Sequence, residues 1–272
     1  MPKNLTELTI RDFGQQWTAF RDNSGWYGSP ELFEDIVSPL VTLAELRGKD
    51  VVEIGSGTGR IVGMLLAAQV GHVTAVEPSA ACQVLKENLS KMPDGLQRGT
   101  IINARGDEWQ AAQPVDYVFS IGVLHHIPEP HSAVRTAFRE LKPGGKCFVW
   151  LYGYEGNEFY LSIFGTLRGL TTRLPHTVLR IVVALLYPLL VLYRLFCRFI
   201  NLPQKDYIEN VIWPMAPDKR RLVIYDQLNP AYAKYYKQAE ALELLRAAGF
   251  VAVQAHHRHN YSWSVIGTKP LA

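Results

Sequence analysis

Charge is sparse in this chain. Asp, Glu, Lys and Arg make up only 19% of its 272 residues, and the formal net charge is +3. So mild an excess excludes a nucleic-acid footprint by charge alone. Cysteine is scarcer still: Cys82, Cys147 and Cys197 are scattered, with no CxxC pair and no Cys/His cluster. That excludes a zinc module and a disulfide framework, and it predicts a reducing, cytoplasmic setting. No apolar run follows Met1, so no signal peptide is expected, and no repeat period or low-complexity tract marks a solenoid or a disordered chain. What remains is ordinary globular composition, 48% apolar, in a length suited to one large α/β domain with an elaboration.

Four regions follow from the pattern. Residues 1–49 read as a helical flap: Phe13, Trp17 and Phe20 fall at helical spacing, and Ser29-Pro30-Glu31 starts a second helix running to about Leu46. Residues 50–151 alternate strand and helix. Strands are expected at 51–54, 73–76, 99–104, 116–120 and 146–151, which predicts an α/β, Rossmann-like doubly wound parallel sheet. The alternation stops across 152–225, a large apolar and basic insertion. It resumes in 226–272 with a helix at 238–248 and a hairpin, 250–256 and 262–268, that adds an antiparallel strand to the sheet.

Glu53-x-Gly55-x-Gly57-x-Gly59 lies between the first strand and the next helix. Glycines there let a ligand approach the backbone and the helix N-terminus. A dinucleotide loop needs GxGxxG, and position 60 is Arg. GxGxG two residues after an acid is the pattern expected for a cationic, amino-acid-bearing nucleoside. Glu77 ends the second strand, where a carboxylate faces a ribose. Asp107 ends the third, where it can accept from an adenine amine, with the Glu108 backbone N–H nearby.

Taken in order, Glu53–Gly59, Val76-Glu77-Pro78-Ser79, Gly106-Asp107, Val123-Leu124-His125-His126-Ile127-Pro128 and Leu141-Lys142-Pro143-Gly144-Gly145 resemble a class I S-adenosylmethionine (SAM) methyltransferase. The likeness is to the quinone-biosynthesis and sugar O-methyltransferase group and covers roughly half the chain. It implies SAM as cofactor. Glu53 and the backbone of Gly55, Gly57 and Gly59 would hold its methionine end, Glu77 its ribose hydroxyls and Asp107 its adenine amine, with Ser56, Pro78 and Glu108 as further cofactor-binding candidates. Ser120 to Gly122 would line the pocket, and the substrate-facing pair would be His125-His126.

A hydroxyl acceptor needs a base, and a neutral histidine suits that work near pH 7. His125 is the first choice and His126 the second, with Glu155 after the fifth strand as a possible second base. No metal site is expected: His257 and His259 share a strand face that His256 does not, and no carboxylate cluster accompanies them. Trp17, Trp26 and Tyr27 are candidate lid residues over SAM. Asp226-Gln227-Leu228-Asn229-Pro230, with Tyr232, Tyr235 and Tyr236, could close over the acceptor.

Residues 159–205 carry Arg168, Arg173, Arg180, Arg194, Arg198 and Lys205 and no acid, so the rest of the chain is net negative. Within them Ile181–Tyr193 is uncharged and almost wholly apolar. Its 13 residues reach only about 20 Å against a bilayer core of about 30 Å, and Pro188 should kink or break the helix. A simple span is therefore not expected. Arg180, Tyr187, Arg194 and Arg198 form one line on a helix, the pattern of a segment lying in a membrane interface beside anionic lipid. The expectation is thus methylation of a small or lipid-linked acceptor at the cytosolic membrane face, with no nucleic-acid partner. The alternatives are a C- or N-methyltransferase of a soluble metabolite, with the insertion as a dimer interface, and a SAM-binding scaffold without catalysis.

Overall fold

The computed structural model describes residues 3–162, 171 and 174–271; Arg168 and Arg173 lie outside them. Seven strands form one sheet in the order β3-β2-β1-β4-β5-β7-β6. β1 (Asp50–Ile54), β2 (His72–Val76), β3 (Gly99–Ile102), β4 (Val115–Ile121) and β5 (Leu141–Tyr152) are parallel. β7 (Ser262–Thr268) runs antiparallel against β5, and β6 (Val251–Arg258) pairs with it in turn. The predicted α/β sheet with its closing hairpin is the observed one. Its central strands are apolar on both sides, as they must be when helices cover both faces. One core contains Val51, Phe119 and Phe148; the other contains Val52, Val118 and Val149.

The order of the strands places the site. β1 and β4 are neighbours while their connections leave in opposite directions, so a crevice opens at their carboxyl ends. The glycine loop and the helix α3 (Arg60–Ala67) lie on one side of it, and the loop after β4 on the other. Helix α1 (Lys3–Ala19) crosses the crevice and touches α4 (Ala81–Ser90). Helix α2 (Pro30–Val37) has the Ser29 cap read from sequence, the hydroxyl accepting from Leu32 N at 3.2 Å. It ends at Val37 instead of near Leu46, because Pro39 biases Ser38 to an extended conformation; a separate 3₁₀ turn, Leu43–Leu46, follows.

Beyond a short turn at Gly95–Arg98 (α5) and the crossover helix α6 (His131–Glu140), the insertion contributes α7, His176–Cys197. Pro188 lies inside this helix without breaking it. The carbonyl that its missing N–H would have engaged belongs to Ala184, and both residues are exposed on the outer side. The 22 residues therefore reach about 33 Å, well past the 13-residue limit inferred from composition. Helix α8 (Pro217–Leu228) packs along α7, and α9 (Gln238–Arg246) leads into the hairpin.

Candidate active site

The crevice is a cavity of about 620 Å³. At one end lies the glycine loop. Gly55, Gly57 and Gly59 all have positive φ (79°, 51° and 83°), which only glycine adopts without strain. The N–H groups of Gly55 and Ser56 donate to the Val76 carbonyl at 2.8 and 3.1 Å, folding the loop back over β2. A side chain at 55 would place its Cβ 2.4 Å from Val123 Cγ2. Gly55→Ala should therefore cost about 2–4 kcal/mol of stability, from the left-handed backbone and overpacking together, and weaken donor binding at least about tenfold; thermal melts and calorimetry check both.

Two acids address this end differently. Glu77 Oε2 accepts from Gly57 N at 2.8 Å and Oε1 from Ser79 N at 2.9 Å, so the carboxylate is fixed at the end of β2. Each oxygen retains a second lone pair for a ligand hydroxyl. Glu53 is 1% exposed, and among the described residues its Oε2 has no hydrogen-bond partner. Burial pushes its carboxyl up to about 8, and the Glu77 charge adds to the rise, while Ser56 and Arg60 act against it. A buried, unmatched carboxylate oxygen on the cavity wall suits a ligand cation, so these residues fit the amino-acid-bearing nucleoside that the motif implies.

Pro78, Asp107 and Gly122 also line the cavity. Asp107 is held in register by two bonds from Arg105, each 3.1 Å. Glu108 departs from its expected role. Its side chain is largely exposed, and its N–H donates to the Arg105 carbonyl at 3.0 Å. Ser120 is buried in β4 behind the wall rather than on it. Arg60, where a dinucleotide loop would have glycine, stands over the Tyr27 ring at 4.6 Å.

The flap closes the cavity from above. Phe13, Trp17 and Tyr27 line it, whereas Trp26 packs beside the core. Asn23, which sequence reasoning did not single out, pins the flap to the glycine loop. Its Nδ2 donates to the Thr58 carbonyl at 3.1 Å, and its Oδ1 accepts from the Thr58 hydroxyl at 2.7 Å. Gln16 was missed as well. It is buried, donates to Asp226 Oδ1 at 2.8 Å and accepts from Asn229 Nδ2 at 2.8 Å. Asp226 Oδ2 in turn accepts from the Tyr152 hydroxyl at 3.2 Å, which accepts from Gln227 Nε2 at 3.0 Å. The 226–230 stretch thus reaches the cavity as one polar network shared with α1 and β5.

The histidine pair is resolved by the 3₁₀ turn Leu124–His126, in which successive side chains diverge by about 120°. His125 turns inward, fully buried, its ring 3.8 Å from that of Tyr152 and off the cavity wall. His126 turns to the cavity, 4.7 Å from the Phe13 ring. Its Nδ1 lies 2.8 Å from the Tyr232 carbonyl. A carbonyl only accepts, so Nδ1 carries the proton and Nε2 carries the lone pair of the neutral ring. The ring on the cavity wall is thus the second choice, His126, and the first choice, His125, lies behind it.

Glu155 is not on the cavity wall. It accepts from Gln238 N at the start of α9 and from Trp263 Nε1, each at 3.1 Å. Burial pushes its carboxyl up, but these bonds and the one from its own N–H outweigh that and hold it below the usual range. The residue ties β5 to α9 and β7. Glu155→Gln should lower stability by about 1 kcal/mol at neutral pH, an effect lost as pH falls, with turnover per folded molecule unchanged. His257 stacks on Trp263 at 4.2 Å, while His259 bridges Asp35 and Asp206 at 2.9 and 2.7 Å.

Part of the cavity wall is apolar and aromatic, with Trp150, Tyr207, Val211, Met215, Leu222 and Tyr261 on it. Arg258 is the exception, 3% exposed and bonded to Asp35 and Tyr261. The cavity wall thus combines the buried Glu53 carboxyl and the glycine loop, an apolar aromatic portion and, among the described residues, the single histidine His126.

Residues 28–255 match a family described as a methyltransferase domain. Among curated proteins, the ubiquinone biosynthesis O-methyltransferase of Pseudomonas putida (strain GB-1) is 28% identical over 123 residues, 45% of this chain and 52% of that protein. The one from Xylella fastidiosa (strain 9a5c) is 31% identical over 133 residues, 48% and 52% of the two chains. The chain spans about half the length of these relatives. Among solved structures, human N-acetylserotonin methyltransferase in complex with SAM superposes with a TM-score of 0.57 at 13% identity, over 99% of this chain and 60% of that one. The putative methyltransferase of Haloferax volcanii, solved with the Trm112 activator, gives 0.55 at 14% identity, over 96% and 97%. At those identities the likeness is one of fold.

Proposed function

The chain belongs to the methyltransferase-domain family, and we propose that it is a SAM-dependent O-methyltransferase of a small or lipid-linked hydroxylated acceptor at the cytosolic membrane face. One observation carries this reading: Glu53 and the glycine loop, an apolar aromatic group of side chains and His126 all line one cavity.

SAM, when bound, supplies a methyl group activated by its sulfonium, so the protein's own work is binding, alignment and proton removal. Glu53 and the 55–59 backbone would hold the amino-acid end, Glu77 the ribose hydroxyls and Asp107 the adenine edge. The flap, tied down through Asn23 and Gln16, would exclude water from the crevice when SAM is bound. His126 can accept the acceptor's hydroxyl proton on Nε2, because the Tyr232 carbonyl fixes the proton on Nδ1. The Asp226–Tyr152–Gln227 network presents polar groups beside it, where an acceptor hydroxyl can be oriented.

Two points support an apolar, ring-bearing acceptor. Part of the cavity wall is built from aromatic and aliphatic side chains, and the curated relatives are named as O-methyltransferases of ubiquinone biosynthesis. A prenylated phenol fits both. The cytosolic setting is supported by the free thiols of Cys82, Cys147 and Cys197.

The test is transfer of isotope-labelled methyl from SAM in the presence of lipid extract or aqueous metabolite extract. The expected result is S-adenosylhomocysteine formed with a labelled product in the organic phase. Binding of S-adenosylhomocysteine without turnover on either extract would replace the enzyme by a scaffold.

A further inference from the structure

Helix α7 divides into two faces. Leu179 and Val183 are buried against Tyr225 and Leu228 of α8 and against Phe20 of the loop after α1. Opposite them, Val178, Ile181, Leu185, Leu189, Leu192 and Phe196 are exposed, Leu185 at 69% and Leu189 at 60%. At 100° per residue these six occupy an arc of about 80°, and Phe199 and Ile200 continue the ridge past the helix end. No acid occurs between residues 159 and 205.

The basic stripe turns only partly outward: Arg180 and Arg198 are exposed, while Tyr187 and Arg194 are half-buried. Arg194 bonds Glu209 at 3.0 Å and lies 3.8 Å from the Trp213 ring centre; Arg180 stands over Phe20; Tyr187 lies under Arg221. The middle of the stripe, Tyr187 and Arg194, runs along the seam with the protein, and the aliphatic arc projects furthest. Arg198, at the margin, lines a shallow groove with Leu192, Leu195 and Trp213, and no ion pair engages it among the described residues.

We propose that α7 is a monotopic bilayer-insertion face: its outer ridge lies in the plane of a membrane containing anionic phospholipid, with Arg198 meeting a lipid phosphate. Length alone would allow a span. A span would draw α8, with Asp218, Lys219, Arg220 and Arg221, and the Arg194–Glu209 pair into hydrocarbon, which charged groups oppose strongly. In the plane only the ridge enters the acyl region, to a depth of about 5–10 Å, and the packed face keeps its protein contacts. Anionic lipid is the fitting partner because Arg198 borders the ridge with no ion pair among the described residues, and no acid occurs between residues 159 and 205. The inference deepens the membrane-face reading above, yet its test uses no turnover.

Flotation of the full chain with neutral phosphatidylcholine vesicles and with vesicles containing phosphatidylglycerol tests it. The wild type should float with both and more strongly with the anionic set. Leu185→Asp with Leu189→Asp should cut vesicle binding at least about tenfold while leaving the melting temperature unchanged, since both side chains already lie in the open. Arg198→Glu should abolish the preference for anionic vesicles. Cysteines placed at Thr177 and Asn201, beyond the two ends of the ridge, should react with an impermeant maleimide from the same side of sealed membrane vesicles. A wild type that stays unbound to both vesicle types overturns the proposal, as do ridge variants that float undiminished. Labelling from opposite sides would make α7 a span. A lipid-independent dimer dissociated by the ridge variant would assign the face to a second copy of the chain, and either result also overturns it.

Discussion

Glu53→Gln should make the ligand-free protein more heat-stable near pH 8 while weakening its affinity for SAM and S-adenosylhomocysteine about ten- to hundredfold, the worth of a charge-assisted bond of about 1.5–3 kcal/mol. The carboxyl is buried, one oxygen lacks a partner, and desolvation lifts its pKa from 4.5 to about 8. Because the folded-state value lies above the unfolded one, the folded protein holds a proton between those limits that the unfolded chain has released. The stabilisation is complete below about pH 4.5 and is lost as pH rises through about 8. Glutamine keeps the shape without the ionisation, so the variant's melting temperature should lose that descending limb.

Ligand binding should carry the opposite slope. A ligand ammonium beside Glu53 favours the carboxylate, so association should release a proton below about pH 8 and tighten as pH rises to that point. Calorimetry in two buffers of different ionisation enthalpy reads the proton directly. Equal heats in the two buffers, together with unchanged affinity in Glu53→Gln, would remove Glu53 from the binding site.

The readable part of this protein was whatever backbone conformation demands of residue type. Positive φ at 55, 57 and 59 requires glycine, a β2 end beside the crevice favours a carboxylate, and apolar strands spaced by helices require a covered parallel sheet. Each leaves its mark at one position. The unreadable part depended on partners far away in sequence. Gln16 meets Asp226 and Asn229 across more than 200 residues, and nothing near Gln16 announces it. Arg194 looked like a lipid-facing cation because its counter-charge, Glu209, falls just past the acid-free segment. Pro188 looked like a helix breaker because sequence does not show that its orphaned carbonyl would be on an open face. For Arg194 and Pro188 the local chemistry was read correctly and its orientation was not.

The histidine pair carries the sharpest form of that distinction. His126→Ala should lower kcat by about 10²–10⁴, the usual range for a lost general base, with the dissociation constant for S-adenosylhomocysteine unchanged within about twofold. His125→Ala should do the reverse: a loss of about 2–4 kcal/mol of stability, as for other large buried side chains, with kcat retained in the molecules that fold. The two rings are neighbours, 4.2 Å apart at their centres, so a general disturbance of the turn would affect both variants alike. They differ in what they face. His125 fills the space against Tyr152 and Trp150, and its carbonyl accepts from Lys234 N at 2.8 Å, anchoring the segment that brings Tyr232 to His126. His126 faces the cavity with its tautomer set by that same segment. A kcat that survives His126→Ala and fails in His125→Ala would place proton removal elsewhere. Asp226, held between Gln16 and Tyr152 on the same wall, is then the group to replace next.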